Sequence, residues 1–166
     1  IAFNSGGAHC LKYGVTTNNV LGLKLVLIDG EVVEIGGDWL DQPGYDMLGL
    51  LVGSEGQLGI VTEATVRILR QAEGARPLLL GFASSEAAGR AVAAIIGSGI
   101  IPVAIEFMDK PAIEVCEAFA KAGYPLDVEA LLIVELDGGK AEVDHLIKRV
   151  EDIAKHCRST SCRISK

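Results

Sequence analysis

The 166-residue chain predicts an α+β protein built in two parts. Three observations carry that expectation. After residue 78, strand-like and helix-like runs follow as strand, helix, strand, extra helix, strand, helix, strand, the order of a ferredoxin-like sandwich, an antiparallel sheet with its helices on one side. Ahead of it, the apolar run Val20 to Ile28 meets Asp29-Gly30 and a second apolar run, as a β-hairpin does. Between the two parts, Arg70 to Pro77 turns polar and carries Gly74 and Pro77, the composition of a linker. The expected division is 1–73 and 74–166.

Taken in order, Val20 to Ile28 is nearly continuous in apolar residues and reads as a strand covered on both faces. Asp29-Gly30 favours a left-handed two-residue turn, Glu31 to Ile35 returns, and Gly36-Gly37 ends the hairpin. Gly44-Tyr45-Asp46 leads into a short helix over Met47 to Leu51, which Gly53 stops. Ile60 to Leu69 is rich in β-branched residues and partly alternating, so it predicts a long strand with one wetter face. In the second part, Leu78 to Ala83 is strand-like, and a helix from Ser85 to about Ser98 is capped by Ser84 or Ser85. Val103 to Met108 is strand-like. A helix follows from Pro111 to Ala122, with Asp109 ahead of it and Gly123 as its stop. Ala130 to Leu136 is the next strand. Lys140 to His156 has Val143, Leu146, Ile147, Val150, Ile153 and Ala154 at helical spacing, with Asp144–Lys148 and Glu151–Lys155 expected to pair at i,i+4. Cys162 to Ile164 begins a last strand.

Composition narrows the function classes. A hydrophobic fraction of 49% supports a packed core, and 15 basic against 22 acidic residues give a net charge of −7. That balance argues against a nucleic-acid surface or a polybasic membrane contact. No apolar run reaches the length of a membrane span, since even Val20 to Ile28 stops at Asp29. No basic cluster precedes an apolar core at the start, so no signal peptide is expected. The chain opens at Ile1 inside a loop motif, as a piece of a longer protein would. Cys10, Cys116, Cys157 and Cys162 are scattered without the close pairs of a zinc site, and read as reduced thiols of a cytoplasmic protein.

Two glycine-dense loops are the candidate site: Asn4-Ser5-Gly6-Gly7, and Gly53-Ser54-Glu55-Gly56-Gln57-Leu58-Gly59-Ile60-Val61-Thr62. Glycine at that density weakens regular structure, so bare backbone serves either tight surface turns or the close approach of another group. Main-chain N–H groups in such turns can hold phosphate-like anions. Other nucleotide motifs fail. There is no phosphate loop, and Gly97-Ser98-Gly99 continues into Ile-Ile-Pro where a dinucleotide fingerprint needs its third glycine. Gly53-Ser54-Glu55-Gly56 misses a nucleophile elbow by one position. His145 and His156 fall on a charged amphipathic helix and read as solvated. His9 lies within the first motif without an assigned role, Cys10 reads as a small buried thiol, and Glu106 as surface charge. No metal ligand set is expected.

The residues go beyond glycine counts. The run Asn4-Ser5-Gly6-Gly7-Ala8-His9-Cys10-Leu11-Lys12-Tyr13-Gly14-Val15-Thr16, then Val20-Leu21-Gly22-Leu23, then Gly53 through Thr62, resembles the second half of the PCMH-type FAD-binding domain of the vanillyl-alcohol-oxidase superfamily. Within it, the chain is most similar to the glycolate oxidase, D-lactate and D-2-hydroxyglutarate dehydrogenase group. The match covers residues 1 to about 70 closely. The remainder more loosely resembles a partial ferredoxin-like FAD-oxidase C-terminal domain, the substrate cap. Phe3 departs from the acidic residue many relatives carry.

The resemblance implies FAD lying extended against glycine-rich backbone. Asn4, Gly6 and Gly7 would sit beside the phosphates or ribityl chain, Gly14 and Thr16 close behind, and Gly53, Glu55, Gly59, Ile60 and Val61 around the adenine and isoalloxazine edges. It implies oxidation of a short 2-hydroxy acid by hydride transfer to flavin N5, with the catalytic residues beyond Lys166. Iron-sulfur or flavin partner subunits follow by family analogy. Two alternatives stand beside it. One is the same flavin fold doing non-redox chemistry, as in alkyl-ether-lipid synthases; the other is a non-catalytic ferredoxin-like interaction module.

Overall fold

The computed structural model of the protein describes residues 1–38 and 44–165. It forms two compact units, Ile1–Arg70 and Gln71–Lys166. No helix among the described residues is long and apolar enough to cross a membrane.

The first unit holds α1 (Cys10–Tyr13), a 3-10 turn (Thr16–Asn18), β1 (Val20–Val26), β2 (Val32–Gly36), α2 (Met47–Leu51) and β3 (Ile60–Val66). The strands make an antiparallel sheet in the order β2-β1-β3. The hairpin turns over three residues, 28–30, rather than the expected two: the Leu27 N–H donates to the Glu31 carbonyl at 2.8 Å and the Gly30 N–H to the Leu27 carbonyl at 3.0 Å. Gly30 alone of the three takes a positive φ, 87°, and the Asp29 carboxylate accepts from the Glu31 N–H at 3.0 Å. Asp46 caps α2 by accepting from the Gly49 N–H at 2.8 Å.

Only one face of β1 is packed, which corrects the expectation of a strand covered on both sides. Val20, Leu23 and Leu25 join Leu51 and Val52 of the α2 segment in a small core. The other face carries Lys24, whose ammonium lies 3.1 Å from both Glu34 of β2 and Glu63 of β3. β3 also ends at Val66 rather than Leu69, because its partner begins at Val20. The Arg67 N–H reaches the Asn19 carbonyl as the last rung, and Ile68 beyond it is 88% exposed.

The second unit holds β4 (Gly74–Phe82), α3 (Ser85–Gly97), β5 (Ala104–Asp109), α4 (Lys110–Ala120), β6 (Ala130–Gly138), α5 (Lys140–His156) and β7 (Ser159–Ile164). Its sheet runs β5-β6-β4-β7 with every neighbouring pair antiparallel, the ferredoxin-like order. Leu78, Leu80 and Phe82 of β4 and Ala130, Leu132, Val134 and Leu136 of β6 point one way. They meet Ala88, Ala91 and Ile95 of α3 and Val143, Ile147, Val150 and Ala154 of α5 in the main core. Ser84 caps α3, accepting from the Ala87 N–H at 3.1 Å, and Asp109 caps α4, accepting from the Ala112 N–H at 3.0 Å.

Four details differ from the sequence reading. The expected linker is shorter, since Gly74 to Pro77 already pair with Gly138 to Glu135 in β4. Pro77 is tolerated there because it falls where β7 runs out. Its carbonyl accepts from the Ser165 N–H at 3.0 Å, and the donor that proline lacks is replaced by the Arg76 guanidinium, 3.4 Å from the Ser165 carbonyl. The extra helix α4 lies on the opposite face from α3 and α5, where Ile113 packs with Val128, Leu131, Leu79 and Met108. It ends at Lys121, which takes the left-handed conformation at a φ of 50°, while the Glu117 carboxylate accepts from the N–H groups of Gly123 and Tyr124. On α5, Asp144 pairs with Arg76 of β4 at 2.9 Å and Glu151 accepts from the Cys162 thiol, so strand residues reach these carboxylates instead of the expected i,i+4 lysines.

The core term dominates this unit. Leu80→Ala, at a fully buried central position, is expected to cost about 3 kcal/mol, and Ser84→Ala about 1 kcal/mol. Urea unfolding of each variant checks the order. A smaller loss for Leu80 than for the cap would contradict this packing.

Candidate functional site

The two glycine-rich loops are brought together by main-chain hydrogen bonds. The Ile1 carbonyl accepts from the N–H groups of Asn4 at 3.0 Å and Gly53 at 3.1 Å, and the Ala2 carbonyl from that of Glu55 at 2.9 Å. Asn4 sits at a φ of 47°, a left-handed value that asparagine tolerates, and its side-chain oxygen accepts from the Thr17 N–H at 2.9 Å. The Thr16 hydroxyl donates to the Ser5 carbonyl at 2.7 Å. Asn4, Thr16, Gly53 and Glu55 therefore meet in one junction. The N–H groups of Asn4, Gly53 and Glu55 are spent on holding it.

The glycines divide by what a side chain would meet. At Gly6 a Cβ would lie 2.9 Å from the Cys10 sulfur, at Gly14 2.5 Å from the Asn18 side-chain oxygen, and at Gly59 2.8 Å from Leu25 Cδ1 and 2.9 Å from the Val26 carbonyl oxygen. These three are bare because the chain itself needs the room. At Gly7 and Gly56 nothing lies within 4 Å, and at Gly53 only Asn4 Cβ at 3.4 Å. There the backbone faces open space that another molecule can occupy. A cavity of about 320 Å³ lies beside Gly7, lined by Gly7, Ala8, His9, Cys10, Tyr13 and Gly14. Cys10 is half-buried, with its sulfur accepting from the Gly7 N–H at 3.0 Å.

Ile60 and Val61 open β3 opposite Val26 and Leu25 of β1. Val61 packs on the small core, whereas Ile60 is 70% exposed. Gly56, with a φ of 79°, adds an open backbone position that the sequence reading did not single out. The signal was its place within the Gly-Ser-Glu-Gly run.

A second feature missed from sequence is the row Glu34–Lys24–Glu63, beside a cavity of about 190 Å³ floored by Gly22, Gly36 and Gly37. Glu34 and then Glu63 hold the lysine above its ordinary value. Its trace in the sequence was the single charge inside Val20 to Ile28. Other titratable candidates do not gather: no group of three or more His, Cys, Asp or Glu among the described residues could hold a metal. His9, His145 and His156 are all exposed. Burial, and after it the Glu151 carboxylate, push the Cys162 thiol up, which makes it a poor nucleophile at neutral pH.

The comparisons with known proteins agree with one another. Residues 72–163 match the family model described as FAD linked oxidases, C-terminal domain. The chain is 47% identical over 165 residues to glycolate oxidase subunit GlcD of Escherichia coli (strain K12), covering 99% of this chain and 33% of that protein. It is 42% identical over 118 residues to a D-lactate dehydrogenase of Archaeoglobus fulgidus, covering 70% of this chain and 26% of that one. A crystal structure of alkyldihydroxyacetonephosphate synthase superposes with a TM-score of 0.81 at 22% identity, covering 98% of this chain and 31% of its own. The chain spans about a third of the length of the curated relatives it matches.

Two outcomes follow from this geometry. Gly7→Ala should stay within about 0.5 kcal/mol of the parent, whereas Gly59→Val should cost about 3 kcal/mol or more, since it strains the backbone and strikes β1. Equal urea midpoints for the two would refute the division of the glycines. For Cys162, the raised thiol value supports the fold below the ordinary thiol range and loses that support as pH climbs through it. Glu151→Gln should therefore speed iodoacetamide alkylation of Cys162 at mildly alkaline pH, read by mass spectrometry. An unchanged rate would mean that Glu151 has no influence on the thiol.

Proposed function

Since the chain belongs to the FAD-linked oxidases, we propose that it forms part of a flavoprotein that oxidises a short 2-hydroxy acid of the glycolate or D-lactate type to the 2-oxo acid. The observation that carries this reading is the junction of the two glycine loops, with backbone at Gly7 and Gly56 left open beside it. Such a surface fits an extended dinucleotide lying flush against main chain. The names of the relatives at 47% and 42% identity give the substrate class. The likeness to alkyldihydroxyacetonephosphate synthase supports the fold alone, so the non-redox alternative gains nothing from it.

When bound, FAD supplies a hydride acceptor at N5. In this reading residues 1–73 are the C-terminal half of the FAD-binding domain, and 74–166 the first part of the substrate-capping domain. Gly7, Gly53 and Glu55 offer the approach surface. Asn4 and Thr16 fix the loop that carries it, and Gly6, Gly14 and Gly59 let that loop close on its own neighbours. Ile60, largely exposed at the start of β3, adds an apolar contact, and Val61 anchors it to the core. The base that takes the hydroxyl proton and the cations that grip the substrate carboxylate belong to parts of the protein outside these residues. A cytoplasmic setting and iron-sulfur or flavin partner subunits complete the reading. The free, partly buried thiols Cys10, Cys116 and Cys157 suit a reducing compartment.

The test uses the full-length protein. Gly7→Val should strip visible flavin absorbance while leaving the thermal midpoint close to that of the flavin-free parent, because its side chain meets nothing in the chain itself. A variant that stays fully yellow removes Gly7 from the flavin surface. Turnover of glycolate and D-lactate with a dye acceptor reports the reaction, and flavin retention without any 2-hydroxy acid oxidation would refute it. The 166-residue chain alone should purify without stoichiometric flavin.

A further inference from the structure

On the face of the second sheet opposite α3 and α5, helix α4 covers one end only, through Ile113, Val128 and Leu131. Next to that cover lies a cavity of about 280 Å³ lined by Pro77, Leu79, Tyr124, Ile133, Arg163 and Ser165, among others. Its floor is aliphatic, formed by adjacent residues of the three strands β6, β4 and β7: Ile133 pairs with Leu79, and Leu79 with Arg163. Its size is at the small end for ligand sites, with room for a molecule of a few carbons.

The polar side of the cavity is Arg163. One of its guanidinium nitrogens donates to the Gly123 carbonyl at 2.9 Å, and it forms no ion pair with a carboxylate among the described residues. In a chain with 22 acidic and 15 basic residues, an arginine over an apolar floor with most of its N–H groups unspent is a ready partner for an anion. Acidic residues share this face: Glu106 of β5 lies in the same cross-strand row, beside Ile133, and the half-buried Glu135 lies two residue pairs along, at Pro77.

The wall is held more firmly than a surface loop requires. Glu117 accepts from the Gly123 N–H at 3.1 Å and the Tyr124 N–H at 2.8 Å. The Lys110 ammonium donates to the carbonyls of Leu126 and Val128. Three charged side chains, Lys110, Glu117 and Arg163, thus fix the segment that carries Tyr124, so the cavity is shaped before any ligand arrives.

We propose that this shelf binds a short aliphatic monocarboxylate, its carboxylate on Arg163 and its carbon tail on Leu79 and Ile133, with Tyr124 closing one side. The site lies wholly in the second unit and stands apart from the reading of the glycine loops, so either can fail without the other. The test is an amide NMR titration of the 15N-labelled chain with propionate, and with propionamide as the neutral match, at constant ionic strength. Propionate should give saturable shifts at Gly123, Tyr124, Leu79 and Arg163 with a Kd on the order of millimolar, and propionamide none. Arg163→Gln should weaken binding by about tenfold or more, and Arg163→Lys by less, since a point charge replaces a planar fork. Should Arg163→Gln lose the loop, Ser165→Asp keeps the question open to test. It sets a carboxylate at the exposed rim and should weaken propionate by a similar factor with the spectrum otherwise preserved. Matching shifts from propionamide, or full affinity in the folded Arg163→Gln or Ser165→Asp chain, would overturn the proposal.

Discussion

Two carbonyl groups at the start of the chain, those of Ile1 and Ala2, hold the loop at Gly53 to Glu55 in place. The meeting of the two glycine-rich loops depends on that clasp. It joins segments about fifty residues apart in the sequence. It also uses up the N–H groups that a glycine-rich loop would otherwise turn toward an anion. The surface that remains is bare backbone without its full set of donors. It suits a ligand that gains by close contact along its length more than one held by a single phosphate cup.

The glycines then do two separate jobs. Gly6, Gly14 and Gly59 are spaces the chain fills with its own atoms, and their loss is a folding defect first. Gly7 and Gly56 are spaces it leaves empty. A motif read as one unit in the sequence is therefore part scaffold and part surface, and only the second part can speak directly of a cofactor. A valine at Gly59 would disrupt the loop against β1, so its effect on any bound group would say nothing of what the open backbone touches.

Much of the architecture was legible. Helix α5 announced itself by spacing, the hairpin by Asp29-Gly30, and the caps by Ser84 and Asp109, because each depends on neighbours in sequence. What could not be read depended on partners far along the chain. The end of β3 is set by where β1 starts, the side on which α4 lies by which faces of Leu79 and Leu131 remain open, and the pairing of Asp144 by Arg76, some seventy positions away. The candidate loops were found from their glycine density, but their meeting point rests on Ile1 and Ala2, residues with no chemical signature of their own.

Pro77 shows how a residue that weakens a sheet can also define it. A proline opposite Ser165 offers an acceptor and no donor, and the neighbouring Arg76 lends its side chain to the carbonyl left over. If β7 slid by a step along β4, the ring would face a carbonyl that Arg76 no longer reaches. The same arginine is tied to α5 through Asp144, so the helix that precedes β7 also fixes the point from which that strand is measured. Strand and helix thus share one alignment mark, which confines an edge strand to a single setting.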